Sequence, residues 1–515
     1  MSPHAYSVSD EASSTHSYTN TDTSLSSLDD DIPNLTSGSN LHRFGDDEVQ
    51  DLVCVGFGPA SLAIAIALHD SLESRASRLS SRAPKVRFLE RQQRFAWHAG
   101  MLLPGAKMQI SYIKDLATLR NPRSEFTFVN YLHEKGRLVA FTNLGTFLPQ
   151  RIEYEDYMRW CADHFGNVVD YSQTVEHVEA GKLNPKTGAV EYFQVTSYNE
   201  QTGERQSLKA KHVVIAAGGR PNIPKSLPQK HPFIIHSSQY ATHAPKMFPA
   251  GSGPRTVAVI GGGQSAAEVW HNIPSLFPGA QSLLMIRGAA LKPSDDSPFV
   301  NEVFNPDNVD NVFAQDAAVR EAAIAKDKAT NYGVVRIELL EEIYNELYSY
   351  KLKYNSEQQW PHRIMNYREV QGVRDVVVDG RPAVELSIQN NSGMYLAHKK
   401  CAVEKVTVDM VVVASGYIRN SHEEMLQGLS ELKPTKTSSG KSWTVGRDYA
   451  VDFEPGAVQP DAGVWLQGCN EKTHGLSDTL LSILAIRGGE MVDHIFGHSQ
   501  ESHQKQVASS FEHML

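Results

Sequence analysis

Cysteine is scarce in this chain: four residues in 515 (Cys54, Cys161, Cys401 and Cys469), scattered and without a C-x-x-C pair. That spacing excludes a disulfide scaffold, a thiolate metal site and a dithiol reductase centre, and it fits a reducing compartment. Long apolar runs are missing too. The run Leu62–Leu68 is far short of the ~20 residues that span a bilayer, so no membrane partner is expected. There is no basic block, and the net charge of −10 argues against a nucleic-acid partner. Residues 1–46 have few large apolar side chains and much Ser, Thr and Asp, which predicts a disordered tail. That tail lacks the basic start and apolar stretch of a secretory signal and the Arg-rich makeup of a transit peptide. The terminal His-Met-Leu is no peroxisomal signal, so a cytoplasmic location is the default. No repeat at a solenoid period is visible.

What the chain does have is two glycine loops. The first reads Asp51-Leu-Val-Cys-Val-Gly56-Phe-Gly58-Pro-Ala-Ser61, and the second Thr256-Val-Ala-Val-Ile-Gly261-Gly262-Gly263-Gln264-Ser265-Ala266. Each is an apolar β run ending in a G-x-G turn that opens a small-residue helix, the pattern of a Rossmann phosphate-binding crossover. The first glycine permits the turn. The second lets a pyrophosphate approach backbone N–H groups at a helix N-terminus. The strand after each loop ends in opposite chemistry. Val86-Arg-Phe-Leu-Glu90 closes on a carboxylate suited to ribose hydroxyls, as for FAD. Ser282-Leu-Leu-Met-Ile-Arg287 closes on a guanidinium suited to a 2′-phosphate, as for NADPH. The competing reading of both residues is an ordinary solvated strand end.

A chain of this length exceeds one core. The element pattern predicts an α/β fold: two Rossmann-like dinucleotide-binding domains, the second inserted in the first, plus a small, mainly helical substrate domain. The expected boundaries are a tail at 1–46 and an FAD-binding domain at 47–224 and 406–497. An NADPH-binding domain takes 225–294 and 353–405, a helical substrate-binding segment 295–352, and a second tail 498–515. Apolar residues at Val335, Leu339, Ile343 and Leu347 predict a helix over 334–352. Thr479–Ile486 reads as a last helix whose positive N-terminus points at the flavin.

Two-nucleotide flavoproteins include dithiol reductases, plain reductases and monooxygenases. The missing cysteine pair removes the first. Four further stretches bear on the choice: Lys107-Met-Gln-Ile-Ser-Tyr-Ile-Lys114-Asp-Leu-Ala-Thr-Leu-Arg-Asn-Pro, Asp295-Asp-Ser-Pro-Phe-Val-Asn301-Glu-Val-Phe-Asn-Pro, Ala329-Thr-Asn331-Tyr-Gly, and Asn470-Glu-Lys-Thr-His-Gly-Leu-Ser477-Asp. Together with both loops, they resemble the L-ornithine N5-monooxygenases of the microbial N-hydroxylating flavin monooxygenase class, over about residues 51–497. Small departures stand at Gly262 and Ser415.

That resemblance implies FAD and NADPH as cofactors and L-ornithine and O₂ as substrates. The implied activity is NADPH-dependent N5-hydroxylation through a C4a-hydroperoxyflavin, the first step of hydroxamate siderophore biosynthesis. It implies that Gly56, Gly58, the stretch from Glu90 to Trp97 and His98, Met108, Gln109, Val175 and His474–Leu476 (His474, Gly475, Leu476) hold FAD. Gly261, Gly262, Gly263, Gln264, Ser265, Arg287, Tyr332 and Gly333 are assigned to NADPH. Lys114, Asn301, Glu302, Val303, Phe304, Asn331 and Ser477 are assigned to ornithine. No side chain is needed as nucleophile, no metal is implied, and a homo-oligomer, tetrameric by analogy, is expected. Physically, Lys114 is a sensible carboxylate partner, and asparagines donate and accept without adding charge. The role of Arg151 stays open between a phosphate, the substrate, and pairing with Glu153 or Glu155. The substrate amine has a pKa near ~10.4, so activity should rise between pH ~7 and ~8.5. The alternatives are L-lysine N6-hydroxylation, and an FAD/NADPH protein that transfers no oxygen.

Overall fold

A computed structural model describes residues 38–74, 79, 83–249, 252–395, 402–435 and 442–497. The expected tail 498–515, residues 1–37 of the expected N-terminal tail, and Cys401 lie outside the described residues.

Two sheets organise the chain. In the first, Val49–Val55 lies between Val86–Leu89 and Arg205–Ile215, parallel to both. Val169–Asp170 extends one side, Val190–Asn199 and Gln173–Leu183 extend the other as antiparallel hairpin strands, and Gly463–Leu466 runs parallel to the end of Arg205–Ile215. The second sheet is parallel throughout, in the order His362–Met365, Gln281–Met285, Thr256–Ile260, Met410–Val413, Ile234–His236. Strands such as Val86–Leu89 and Met410–Val413 are buried at every position, as expected where both faces of a sheet are covered. The chain leaves the first sheet at Arg220–Pro221 and returns at Tyr417–Ile418, and these two segments pair antiparallel. The second Rossmann-like unit is therefore inserted in the first. A three-stranded antiparallel sheet (Arg368–Val378, Arg381–Asn390, Ala402–Val408) flanks the second unit.

Three differences from the sequence reading have physical causes. The strand Met410–Val413 pairs with Thr256–Ile260 in the second sheet, whereas the expected boundary at residue 406 gives it to the first. An all-apolar strand announces burial but not which sheet buries it. Residues 38–46, expected in the tail, are packed. Leu41 is fully buried, the Asn40 amide donates to His69 Nδ1, and Asp46 pairs with Arg87. Arg87 is a fully buried cation on an inner strand, and Asp46 and Asp170 balance it. The last helix runs over 484–497, later than expected, because 476–479 and 481–483 form 3₁₀ turns. The segment 295–352 is helical as expected, its longest helix being Ile337–Lys353 with Ile343 buried.

Residues 99–106 cross between the two units. Met101 and Leu103 belong to the second unit's core beside Trp270 and Val335, while Met108 returns to the first unit's core. A Cβ at Gly100 would fall 1.9 Å from the Ser238 carbonyl oxygen, so the crossing requires glycine there.

Candidate active site

The main cleft opens above the first glycine loop. Gly56 has φ +90°, and a Cβ there would stand 2.7 Å from the Ala216 oxygen. At Gly58 a Cβ would meet no protein atom within 4 Å, and this residue heads the Pro59–Glu73 helix with no side-chain cap. An uncapped helix N-terminus facing open space is what a pyrophosphate requires. Glu90 is buried. Its carboxylate accepts from the amides of Phe57 (2.7 Å) and Gln92 (2.9 Å), leaving one lone pair on each oxygen.

Trp97, His98 and Val175 line this cleft, as do Arg419, Leu484 and Arg487 from far along the chain. His98 is held at φ +48° with its ring open to the cleft. Enclosure by the surrounding protein, together with Arg151 and Arg419, lowers its pKa to about 4, so the ring is neutral near pH 7. Met108 is buried beside the first core and Gln109 is exposed.

The loop 470–478 is pinned from below. Arg487 donates to the Asp478 carbonyl (2.6 Å) and carboxylate (2.9 Å), and both side chains are buried. The other Asp478 oxygen accepts from the Asn470 amide at 2.7 Å. His474 stacks on Tyr449 at 4.2 Å, with its ring nitrogens on Thr473 Oγ1 and the Arg447 carbonyl. Burial lowers its pKa to about 4, so the ring is neutral near pH 7. Gly475 has φ +84° and turns the chain into Leu476 and Ser477, both buried.

At the second loop, Gly261 has φ +145°, and a Cβ would clash with the Ala414 oxygen at 2.4 Å. Gly262, in the turn, and Ser265, at the start of the helix Gln264–Leu276, are half-buried. A Cβ at Gly263 would lie 3.3 Å from the Cα of Gly333, so the 331–333 segment folds directly over this loop. Arg287 is exposed just past Gln281–Met285 and makes no ion pair among the described residues. A free guanidinium at the end of this strand fits a ribose phosphate.

Two of the segments expected to hold substrate, around residues 301–304 and 331–333, meet the loop 471–479. Asn301 ends a short helix, its amide donating to the Asp296 carbonyl at 2.7 Å. The following turn, with Glu302 exposed, Val303 half-buried and Phe304 buried, packs on Leu476–Thr479. Tyr332 bonds to Glu471 and Thr479, and Lys328 pairs with Glu471 at 2.6 Å, which draws half-buried Asn331 toward the same loop. Lys114 comes from a separate loop. Its neighbour Asp115 is buried and accepts from the amides of Ala117 (2.9 Å), Thr118 (2.6 Å) and Phe128 (2.7 Å) and from the Thr118 hydroxyl (2.7 Å). Lys114 itself is half-buried, and its ammonium has no partner among the described residues. A cation fixed by its neighbours but unpaired is available to an anionic ligand.

Sequence reasoning missed Arg419, the Asp478–Arg487 pair and the partner of Arg151. The signal for Arg487 was present: it is a lone charge in the apolar helix Leu484-Ala-Ile-Arg487-Gly-Gly. Arg151 does not pair with its helix neighbours. It forms a two-pronged ion pair with Glu268, on the helix that follows the second glycine loop.

Comparison with known proteins agrees with this layout. Residues 48–419 match the family model described as L-lysine 6-monooxygenase/L-ornithine 5-monooxygenase. The L-ornithine N(5)-monooxygenase of Cochliobolus heterostrophus is 51% identical over 478 residues, 90% of each chain. The ornithine hydroxylase of Pseudomonas aeruginosa superposes with a TM-score of 0.76 at 35% identity, over 88% of this chain and 100% of that one. The ornithine N-hydroxylase of Kutzneria sp. 744, solved with reduced FAD, NADP⁺ and L-ornithine, gives 0.75 at 33% identity, over 87% of this chain and 99% of that one. With both glycine loops in place and about nine-tenths of its length shared with such relatives, the chain belongs to the L-lysine 6-monooxygenase/L-ornithine 5-monooxygenase family.

Proposed function

We propose that this protein hydroxylates the side-chain amine of L-ornithine at N5, using NADPH and O₂, as the first step of hydroxamate siderophore synthesis. FAD is its resident cofactor and NADPH its reductant. The observation that carries this reading is the presence of two dinucleotide loops, one on each sheet, together with an unpaired Lys114 and no thiol pair among the described residues. Burial raises the thiol pKa of Cys54, Cys161 and Cys469, which leaves them inert.

Bound FAD, once reduced by NADPH, supplies the O₂ activation. The protein's own residues do the rest. Gly56, Gly58 and Glu90 seat the flavin nucleotide; Gly261–Gly263 and Arg287 seat NADPH. Lys114 pairs with the substrate α-carboxylate, while Asn301, Asn331 and Ser477 surround its amines. The 331–333 segment lies over the NADPH loop and is tied to Glu471 and Thr479, which keeps the spent nicotinamide in place and water out. The rings of His98 and His474 are neutral near pH 7, so neither repels a cationic substrate. The amine must lose its proton before attack, so the reaction rises between pH ~7 and ~8.5.

Ornithine is favoured over lysine because relatives sharing about half their residues with this chain are ornithine enzymes. One methylene in the pocket is worth only ~1–3 kcal/mol. Among the described residues no helix is long and apolar enough to cross a membrane. The exposed stripe Ile337, Tyr344, Tyr348 and Leu352 on one helix face fits burial between copies in a homo-oligomer. The test is direct: purified protein should carry one FAD, and ornithine should not be needed for its slow reduction but should be needed for product. Protein that holds no flavin, or NADPH oxidation that yields no hydroxylated amine, refutes the reading.

A further inference from the structure

The two nucleotide sites sit on separate sheets, so something must fix their relative position. Nothing in the function assigned above uses Arg151 or Glu268, yet both are largely shielded from solvent, with side-chain exposures of 12% and 8%. Arg151 opens the helix Arg151–Asp163 of the first unit, and Glu268 lies one turn into the helix Gln264–Leu276 of the second. The guanidinium donates to both carboxylate oxygens, at 2.8 and 2.9 Å. Such a forked pair fixes orientation as well as distance.

The pair does not stand alone. Arg151 Nη1 also donates to the Met101 carbonyl at 2.9 Å, and the Arg151 amide donates to the Ala106 carbonyl at 2.8 Å. Those carbonyls belong to the 99–106 crossing, which follows His98 and leads to Met108. On the other side, Glu268 Oε1 accepts from Gln264 Nε2 at 2.9 Å, and Gln264 Oε1 accepts from the Arg336 amide at 2.9 Å. Gln264 is the first residue after the second glycine loop, and Arg336 follows the 331–333 segment that covers it. One chain of hydrogen bonds therefore joins the flavin-side crossing to the NADPH loop and its cover.

We propose that Arg151 and Glu268 are positioning residues that hold the two dinucleotide sites in register for hydride transfer and keep the oxidised nicotinamide seated during hydroxylation. This rests on the monooxygenase reading. Hydride transfer is steeply sensitive to geometry, and a misplacement of about 1 Å costs on the order of 100-fold. A pair that only stabilised the fold would be replaceable by apolar side chains with no kinetic effect, since buried ion pairs exchange for packed hydrophobes without loss of stability.

The experiment uses the full-length FAD-loaded protein with both charges removed together, Arg151→Met with Glu268→Met. FAD content, thermal midpoint, the anaerobic rate of flavin reduction by saturating NADPH, and hydroxylated product per NADPH are compared with wild type. The expected result is unchanged FAD content and midpoint, a reduction rate lower by about 10–100-fold, a smaller change in NADPH KM, and less product per NADPH. A folded double variant with wild-type reduction rate and coupling overturns the proposal. Should that variant lose its flavin, Arg151→Lys and Glu268→Gln decide, because each keeps part of the bonding. Intermediate reduction rates support the proposal and wild-type rates in both overturn it. A wild-type protein that forms no hydroxylated amine sinks the monooxygenase reading, while the reduction-rate comparison still decides the positioning role.

Discussion

Truncating Lys114 to alanine isolates substrate recognition from everything else the protein does. The loop around it is held by Asp115, whose carboxylate accepts from three amides and one hydroxyl, and none of those bonds involves the lysine side chain. Because the ammonium is half-buried and without a partner among the described residues, its loss strands no neighbour. The effect on folding should stay within ~0.5 kcal/mol. A charge-assisted hydrogen bond to a carboxylate contributes ~1.5–3 kcal/mol net, which corresponds to roughly 10–150-fold in affinity. The ornithine KM should rise by that factor while NADPH still reduces the flavin, and more of the NADPH should be spent without product. The assay is hydroxylated product against ornithine concentration, run beside NADPH consumption. A diamine lacking the carboxylate supplies the control, because wild type and variant should handle it alike. An unchanged ornithine KM with full coupling, or an equal loss with the diamine, refutes the carboxylate role.

Three further perturbations have definite outcomes. Arg287→Ala should raise the NADPH KM by about 10-fold or more and leave NADH nearly unaffected, since only the 2′-phosphate meets the guanidinium; equal losses with both nucleotides exclude that assignment. Gly56→Ala places a Cβ 2.7 Å from a backbone oxygen in a left-handed conformation. It should cost on the order of 3 kcal/mol and weaken FAD retention, and a thermal midpoint within a degree of wild type contradicts this. Burial lowers the pKa of His212, as of His474, to about 4. An unfolded histidine near 6.5 takes up its proton first, so stability is full at pH 7 and falls as the pH drops from about 6.5 to 4, by ~3 kcal/mol per residue. His212→Gln, away from the substrate segments, should flatten part of that slope in a series of thermal midpoints, and an unchanged slope rules out His212 as a contributor.

The sequence disclosed the parts whose local chemistry is self-sufficient. Each glycine loop is an apolar strand, a turn and a helix start in a dozen residues, and the structure shows why glycine is required at Gly56 and Gly261. The helix Ile337–Lys353 was legible from its apolar period. What could not be read depends on partners remote in the chain. Met410–Val413 looks the same in either sheet, and only pairing decides. The docking of 38–46 depends on Arg87 needing Asp46, a charge balance invisible without knowing that Arg87 points inward. From sequence, Arg151 stood open between a phosphate, the substrate and its helix neighbours, and its carboxylate lies 117 residues away on Glu268. Within the candidate site, the three segments around residues 301–304, 331–333 and 471–479 do come together. Their common frame, the buried Asp478–Arg487 pair, was marked only by one charge in an apolar run.

The decisive point is that NADPH and O₂ are spent to place one oxygen atom on the side-chain nitrogen of ornithine, the other leaving as water. It is tested most directly by counting hydroxylated amine formed per NADPH consumed, with L-ornithine and L-lysine supplied side by side to the purified FAD-loaded protein at pH 8. The expected ratio is near one with ornithine and far smaller with lysine, the remaining NADPH appearing as hydrogen peroxide. A ratio near zero with both, or a higher ratio with lysine, contradicts it.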